Sequence, residues 1–295
     1  MADGMLVAAA APVRDTRGPG VVRRFLRHRM AALGVVVVVL LVAGAAGADV
    51  LAVDPDDIDV VNRFAPPFSM THWLGADDLG RDVFSRLLHA GRVSLTVGVS
   101  AMLVTLVVGA TVGAFAGYLG GWTDTLLMRF TDMMLCFPSV FLLLFVSAFI
   151  VPSVASITLL IGLTCWMEIA RLVYGQVRAL RSADFIAAAW IAGAPAWRIV
   201  LRQILPNTLP PILVAATLNT ANAILLESYI SFLGYGIQLP QSSWGNMLTN
   251  AQGDFAIDPW LAVFPGIAIT LAVASFNFIG DGLRDALDPR LRSCS

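Results

Sequence analysis

Long apolar runs, each of the length that crosses a lipid bilayer, limit what this sequence can fold into. A helix needs about 20 predominantly apolar residues to cross the hydrocarbon layer. Residues 133–167 contain no charge and are too long for one crossing, so they predict two helices joined by a tight turn at Pro152. We therefore predict an all-α integral membrane protein with six transmembrane helices, at residues 31–49, 93–118, 133–151, 153–174, 209–234 and 259–279.

The composition supports the membrane class. Of 295 residues, 58% are hydrophobic and only 13% are charged, and the mean hydropathy is +0.79. A soluble domain of this size could not cover so much apolar surface. The three cysteines, Cys136, Cys165 and Cys294, are widely spaced and predict neither a disulfide framework nor a metal site.

The first apolar run allows two interpretations. It follows the basic stretch RRFLRHR and ends in small residues, as a cleaved signal peptide does. A preceding segment of about 30 residues is long for the charged region of a signal peptide. The sequence favours a retained first helix.

The positions of the arginines predict the orientation. Six crossings place both termini on one side, and basic residues concentrate on the cytoplasmic side. With cytoplasmic termini, fifteen arginines lie inside and only four lie outside, namely Arg63, Arg81, Arg86 and Arg92. The loop between the first two helices is correspondingly acidic. We expect both termini in the cytoplasm.

These patterns predict five consecutive regions. Residues 1–30 form a basic, largely disordered cytoplasmic N-terminus, and the first transmembrane helix covers 31–53. An extracytoplasmic segment with a short surface helix follows at 54–92. A transmembrane core covers 93–282, and a cytoplasmic tail covers 283–295.

The core is interrupted by a short segment, DFIAAAWIAGAPAWRIVLRQILPN, at residues 184–207. Asp184 is suited to cap a short helix that contains Ala187, Ala188 and Ala189, and Gly193 allows a bend or a close approach of another backbone. We expect a second helix from Ala196 to Leu205 that ends at Pro206. Its expected apolar side consists of Trp197, Val200, Leu201 and Ile204, and Arg198 and Arg202 lie on another side.

The residues alone leave the role of this segment open. A stiff, alanine-rich projection can insert into a groove of a partner protein. An ordinary amphipathic connector between two membrane helices explains the same pattern equally well.

The segment resembles the signature loop of permease subunits in bacterial ATP-binding-cassette importers. That loop reads Glu-Ala-Ala, three residues, Gly, eleven residues, Leu-Pro, and the match here is Ala187–Ala189, Gly193, Leu205 and Pro206. Ala187 stands where glutamate is usual, and Gln203 stands where an apolar residue is common. The resemblance implies that residues 184–206, including Asp184 and Arg198, are a cytoplasmic coupling helix that docks into an ATPase subunit.

Three other stretches resemble the peptide-importer branch of the same family. They are HWLGADDLGRDVFSRLLHAGRVSL at 72–95, ESYISFLGYGIQLPQSSWGNML at 227–248 and NFIGDGLRDALDPRLR at 277–292. The four matches look like the C-type permease of a dipeptide or oligopeptide importer. The implied fold is that of a type I importer permease. The implied partners are a second homologous permease, ATP-binding subunits and an extracytoplasmic solute-binding protein, in a bacterial cytoplasmic membrane.

Charged residues before the second helix suggest a self-neutralising surface element. Asp77 with Arg81, Asp82 with Arg86, and Asp78 with Arg81 have helical pair spacing. We expect a solvated short helix that directs the second span, and a contact with a solute receptor is the alternative. Farther along, Trp244 is expected to be an anchor at the membrane interface.

Ionisable and polar residues within the spans are candidates for the pathway or for helix contacts. Glu168 and Arg171 are one turn apart and predict an ion pair. Glu227 has no cation nearby in its helix and could line the passage or pair with the other permease. The polar companions of these residues are Asn219, Asn222 and Asn277.

The sequence contains no phosphate-binding loop of the form GxxxxGK[ST] and no constellation typical of a hydrolase. We therefore expect a transport subunit rather than an enzyme, with no cofactor in this chain and with ATP bound by partner subunits. Nickel, glutathione or another small solute is an alternative cargo to peptides. A proton-coupled secondary transporter that uses Glu168 and Glu227 is the alternative of another class.

Overall fold

The computed structural model describes residues 21–69 and 72–287, and the regular structure in this part of the chain is helical. A 3-10 turn lies at Val60–Asn62 and a π-helical turn at Val200–Ile204. The α-helices are α1 (Val21–Arg27), α2 (Arg29–Ala46), α3 (Ala48–Leu51), α4 (Val83–Leu119), α5 (Gly121–Leu135), α6 (Ser139–Ser147), α7 (Val154–Leu180), α8 (Asp184–Ile191), α9 (Ala196–Ile199), α10 (Leu205–Phe232), α11 (Trp244–Asp254) and α12 (Trp260–Leu287).

Five helices of the described chain are long and apolar enough to cross a membrane. They are α2, α4, α7, the continuous helix Ala196–Phe232 and α12. The prediction of an all-α membrane protein is confirmed. A sixth crossing is reached if α5 and α6 together form one broken span.

The third predicted span, 133–151, has the wrong bounds. The chain bends by 83° between α5 and α6. Pro138, at the start of α6, cannot donate a backbone hydrogen bond to the preceding turn. The charged residues Asp124 and Asp132 make α5 unsuitable for a purely lipid environment. The apolar run therefore did not indicate the break between these two helices.

Other boundaries also differ from the predicted ones. The second span begins ten residues before the predicted position 93, because Asp82 caps α4 by accepting the Ser85 backbone N–H at 2.8 Å. The separate surface helix expected within 54–92 is absent from the described part of that segment. Residues 21–27 are helical, whereas positions 1–20 and the end of the tail, 288–295 with Cys294, lie outside the described residues.

Close backbone contact between α4 and α7 forms the centre of the fold. A Cβ atom added to Gly113 would lie 2.3 Å from the carbonyl oxygen of Ala170, and one added to Gly109 would lie 2.7 Å from that of Trp166. Small residues allow membrane helices to approach at this distance, where dispersion contacts hold them together. The glycines of α4 therefore set its separation from α7.

The bundle has two distinct ends. At one end, which we call the α8 end, Phe25 lies near Gly282, and Tyr118 and Ile186 line one cavity. At the opposite α11 end, the Trp244 indole donates to the Leu87 carbonyl at 3.1 Å. The loop between α3 and α4 shares the α11 end.

Candidate functional site

The candidate coupling segment, residues 184–206, begins with α8. Ala183 is the N-cap residue and makes no side-chain capping bond, so the expectation that Asp184 caps the helix is wrong. Asp184 occupies the first helical turn instead. A carboxylate there interacts favourably with the partial positive charge of the free backbone N–H groups.

Gly193 produces the bend after α8. Its φ angle is +76°, a left-handed conformation that residues with a Cβ rarely adopt, and a Cβ added there would meet nothing within 4 Å. The backbone N–H of Gly193 donates to the Trp190 carbonyl at 2.9 Å. The glycine is needed for conformation, since no other backbone approaches it within the described chain.

The second half of the segment does not end at Pro206. The helix continues from Ala196 through the π-helical turn at Val200–Ile204 and into α10, so the predicted stop is wrong. Pro206 lies in the first turn of α10, immediately after this wider turn. The π-helical turn changes the local hydrogen-bond register, and proline is tolerated where its missing N–H is not required.

One side of the segment packs against the bundle. Ile186, Ile199, Val200 and Ile204 are buried and belong to a core cluster that includes Val173 of α7. The predicted apolar side of the second helix is therefore half correct. Val200 and Ile204 lie inside, whereas Trp197 and Leu201 are exposed.

The opposite side presents large apolar side chains. Trp190 is 72% exposed and Ile191 is 80% exposed. The Arg198 guanidinium lies 5.9 Å from the centre of the Trp197 ring. Ala187 and Ala188 are exposed and Ala189 is half-buried. This unpartnered apolar surface, which we call the α8 surface, consists of Phe185, Trp190, Ile191, Trp197 and Leu201.

An open cavity of about 470 Å³ lies beside α8. Ala187, Trp190 and Arg181 contribute to its lining, and Tyr118 and Leu119 close it from the end of α4. A glutamate side chain at position 187 would extend into this space. The alanine leaves the space open.

The polar residues proposed within the spans are not brought together. Glu168 is exposed, and Arg171 makes its ion pair with Asp132 of α5 at 2.8 Å, so the predicted Glu168–Arg171 pair is wrong. Asp132 lies on the neighbouring helix, which sequence spacing within α7 could not reveal. Asn222 is exposed, Asn277 is half-buried, and Asn219 is buried with its Oδ1 unpaired among the described residues.

Glu227 is the one residue of this group with a fully buried side chain. Its carboxylate accepts hydrogen bonds from the Ser94 hydroxyl at 2.9 Å and from the Ser231 hydroxyl at 2.8 Å. Ser94 belongs to α4 and Ser231 to α10. The carboxylate therefore bridges two spans rather than facing open space.

Three members of the charged cluster before α4 are buried, namely Asp77, Arg81 and Arg86, so the expected solvated helix is wrong. The ion pairs of Arg81 with Asp77 at 2.8 Å and with Asp78 at 3.7 Å are present as predicted. The pair of Asp82 with Arg86 is not formed, because Arg86 pairs with Asp77 and donates to Ser242.

Sequence reasoning also missed the surroundings of Trp244. Its side chain is only 2% exposed and packs on Gly91, where an added Cβ would lie 3.0 Å from the indole ring. The expectation of an interfacial anchor is therefore wrong. Gly91 and Trp244 are so far apart in the chain that no local pattern connects them.

Comparison with known proteins gives the family. The family model described as binding-protein-dependent transport system inner membrane component matches residues 109–293. The model described as the N-terminal TM domain of oligopeptide transport permease C matches residues 19–67. The chain belongs to the family of binding-protein-dependent transport system inner membrane components.

Relatives align along most of their length. A glutathione transport system permease protein of Pectobacterium atrosepticum is 40% identical over 272 residues, which cover 92% of this chain and 90% of that protein. A dipeptide transport system permease protein of Alkalihalophilus pseudofirmus is 39% identical, with 92% and 89% covered. An oligopeptide transport system permease protein of Bacillus subtilis is 35% identical, with 91% and 88% covered. The chain is thus a multi-pass membrane permease subunit and not an enzyme.

Proposed function

We propose that this chain is a permease subunit of an ATP-driven importer of dipeptides or oligopeptides. It forms half of the translocation pathway with a second homologous permease. A solute-binding protein delivers cargo at the α11 end, and ATP-binding subunits act at the α8 end. The family match and the printed names of the dipeptide and oligopeptide relatives support this assignment.

The α8 surface is the observation that favours ATPase docking at this segment. Trp190 and Ile191 are more than two-thirds exposed although the segment lies at the end of the bundle, beyond the long apolar helices. Large apolar groups in contact with water are unfavourable, and exposed apolar patches commonly mark interaction sites. A partner that covers this surface would remove that cost.

The arginines support an orientation of the chain in the membrane. Arg23, Arg27, Arg181 and Arg198 lie at the α8 end, and cytoplasmic segments of membrane proteins carry the excess of arginine. We therefore place the α8 end and both termini in the cytoplasm. The attachment of a reporter enzyme after residue 62 or after residue 192 tests this placement, because only the second fusion should be active in the cytoplasm.

A charge placed on the α8 surface tests docking. Trp190→Glu combined with Ile191→Glu should abolish co-purification of the ATPase subunits, because it puts two carboxylates into an apolar contact. Val61→Glu is the matched control, since Val61 is 92% exposed at the α11 end. Full recovery of the ATPase with the double variant would refute docking at α8.

Uptake by the reconstituted complex distinguishes the cargoes and the energy source. We expect ATP-dependent uptake of labelled dipeptides or oligopeptides. Preferential uptake of glutathione, which the Pectobacterium relative's name makes the alternative, or of nickel would replace the peptide assignment. Uptake that follows a proton gradient without ATP would instead identify a secondary transporter.

A further inference from the structure

A buried carboxyl group at the α11 end has no cationic partner in the described part of the chain. Glu227 is 0% exposed, and within residues 21–69 and 72–287 no arginine or histidine nitrogen lies within 4.0 Å of its carboxylate. A buried charge without a counterion is costly unless hydrogen bonds compensate it. The groups that stabilise Glu227 directly are serine hydroxyls.

Two serines connect this carboxylate to the polypeptide backbone. Ser94 donates to Oε2, and its oxygen accepts the backbone N–H of Trp244 at 3.2 Å. Ser231 donates to Oε1, and its oxygen accepts the backbone N–H of Ile237 at 3.1 Å. Each serine thus forms a relay from a backbone amide to Glu227.

When Glu227 is ionised, the number of hydrogens fixes the direction of both relays. A backbone N–H can only donate, and each serine hydroxyl carries a single hydrogen. Once the serine oxygen has accepted the amide hydrogen, its own hydrogen is directed to Glu227. Both carboxylate oxygens are therefore acceptors. In a glutamine side chain only the carbonyl oxygen can accept, because the NH2 group is a donor.

The two amides belong to the segment that covers the α11 end. Ile237 lies in the connection after α10, and Trp244 is the first residue of α11. The fit at α11 is close, because a Cβ on Gly245 would lie 2.5 Å from the carbonyl oxygen of Ser228 in α10. Movement of α11 away from α4 would have to break the Trp244–Ser94 bond.

We propose that Glu227 is a positioning residue for transport, which fixes the segment 237–254 against α4 and α10 through Ser94 and Ser231. In this position the segment closes the α11 end of the bundle. ATP hydrolysis moves cargo efficiently only if the segment leaves and regains one defined position. The inference rests on the proposed ATP-driven import and adds a residue that holds its outer closure.

The test uses the reconstituted complex with its ATPase and solute-binding partners. Glu227→Gln retains size and removes one acceptor, Ser94→Ala removes one relay, and Glu227→Asp keeps both acceptors on a shorter side chain. Ser147→Ala is the matched control, because Ser147 is also a buried serine but donates to the Leu144 carbonyl of its own helix at 2.8 Å.

Two measurements separate positioning from general stability. The first is the amount of cargo imported per ATP hydrolysed. The second is the distance distribution between spin labels at Val61→Cys and Gln252→Cys, on a background without the native cysteines. A merely destabilised protein loses assembled complex without changing either quantity in the complex that remains.

We expect Glu227→Gln and Ser94→Ala to lower cargo per ATP by roughly fivefold to tenfold, the equivalent of one buried hydrogen bond, and to broaden the label distances. Glu227→Asp should retain most of the coupling, and Ser147→Ala should behave as wild type. The combination of Glu227→Gln with Ser94→Ala should be less than additive, because both act on one relay.

Wild-type coupling and unchanged distances in Glu227→Gln would overturn the inference. Failure of the wild-type complex to import with ATP would instead overturn the proposed function.

Discussion

Arg86 in the first turn of α4 donates from Nη2 to the hydroxyl of Ser242 at 3.2 Å, across 156 positions of the chain. Its guanidinium also pairs with Asp77, which accepts a second bond from Arg81 at 2.8 Å. Ser242 directly precedes Ser243, the N-cap residue of α11. A single buried side chain therefore connects the loop before α4 to the start of α11.

Removal of this guanidinium should destabilise the protein strongly. Arg86 is 2% exposed, so Arg86→Ala leaves the buried carboxylate of Asp77 with fewer donors. The loss of one member of a buried ion pair costs about 3–5 kcal/mol in free energy of unfolding. Thermal unfolding of the purified protein in detergent measures the effect. Arg86→Lys should cost less, because lysine keeps the charge but cannot make both contacts.

Arg284→Ala is the control for this prediction, because Arg284 is exposed in the last turn of α12. Its melting temperature should match that of wild type. If Arg86→Ala had the same melting temperature as the control, Arg86 would not be needed to connect the loop before α4 to the start of α11.

The contact between α4 and α7 predicts a contrast between two glycines. Gly113→Ala would put a methyl group 2.3 Å from a backbone carbonyl of α7, so the helices must separate and stability must fall. Gly175→Ala in α7 meets nothing within 4 Å. It should be neutral or stabilising by up to about 1 kcal/mol, because glycine weakens a helix interior. Equal melting temperatures for the two variants would contradict this close packing.

Hydropathy and charge predicted where the long helices lie in the sequence, because both signals are local. A run of about 20 apolar residues predicts a spanning helix wherever it packs, and α2, α4 and α7 overlap the predicted spans. The bend between α5 and α6 is different. It accompanies ion pairs of Asp132 with Arg171 and of Asp124 with Arg178, which connect α5 to α7. Such partners on different helices have no fixed sequence spacing.

In the candidate site, too, the sequence predicted local features but not those that depend on contacts with distant residues. The left-handed conformation of Gly193 is a local property of the chain, and the sequence indicated a bend there. The continuation of the helix through Pro206 depends on a π-helical turn whose buried side chains pack on α7. The buried positions of Arg86 and Trp244 likewise depend on partners more than 150 positions away.

The ion pair of Asp49 predicts a dependence of stability on pH. The pKa of Asp49 is lowered from 3.8, mainly because Arg92 donates a hydrogen bond to its carboxylate, and the positive charge of Arg92 adds to the effect. A lowered pKa in the folded state stabilises the fold at higher pH, and this contribution is lost as the pH falls through the lowered value. Because Asp49 is exposed, the effect should be small and sensitive to salt.

Asp49→Asn measures this contribution by its melting temperature. It should melt slightly below wild type at neutral pH, and the difference should vanish at a pH below the lowered pKa. Asp57→Asn is the control, because no arginine or histidine nitrogen lies within 4.0 Å of the Asp57 carboxylate in the described chain. A difference that persists in acid would assign the effect to something other than the ion pair.

Gly193 provides a test of how the backbone shape of the coupling segment controls ATPase binding. Its φ of +76° disfavours residues with a Cβ by about 1–2 kcal/mol, less for asparagine and more for β-branched residues. Space is not limiting, since an added Cβ meets nothing within 4 Å. Recovery of ATPase subunits with the purified permease should therefore decrease in the order Gly193→Asn, Gly193→Ala, Gly193→Val.

Gly234→Val is the matched control, because Gly234 has a φ of +84° and equal space but lies at the α11 end. It should strain the chain to a similar extent and leave ATPase recovery unchanged. Equal losses for Gly193→Val and Gly234→Val would attribute the effect to general instability, and full recovery with Gly193→Val would show that the bend is not required for binding.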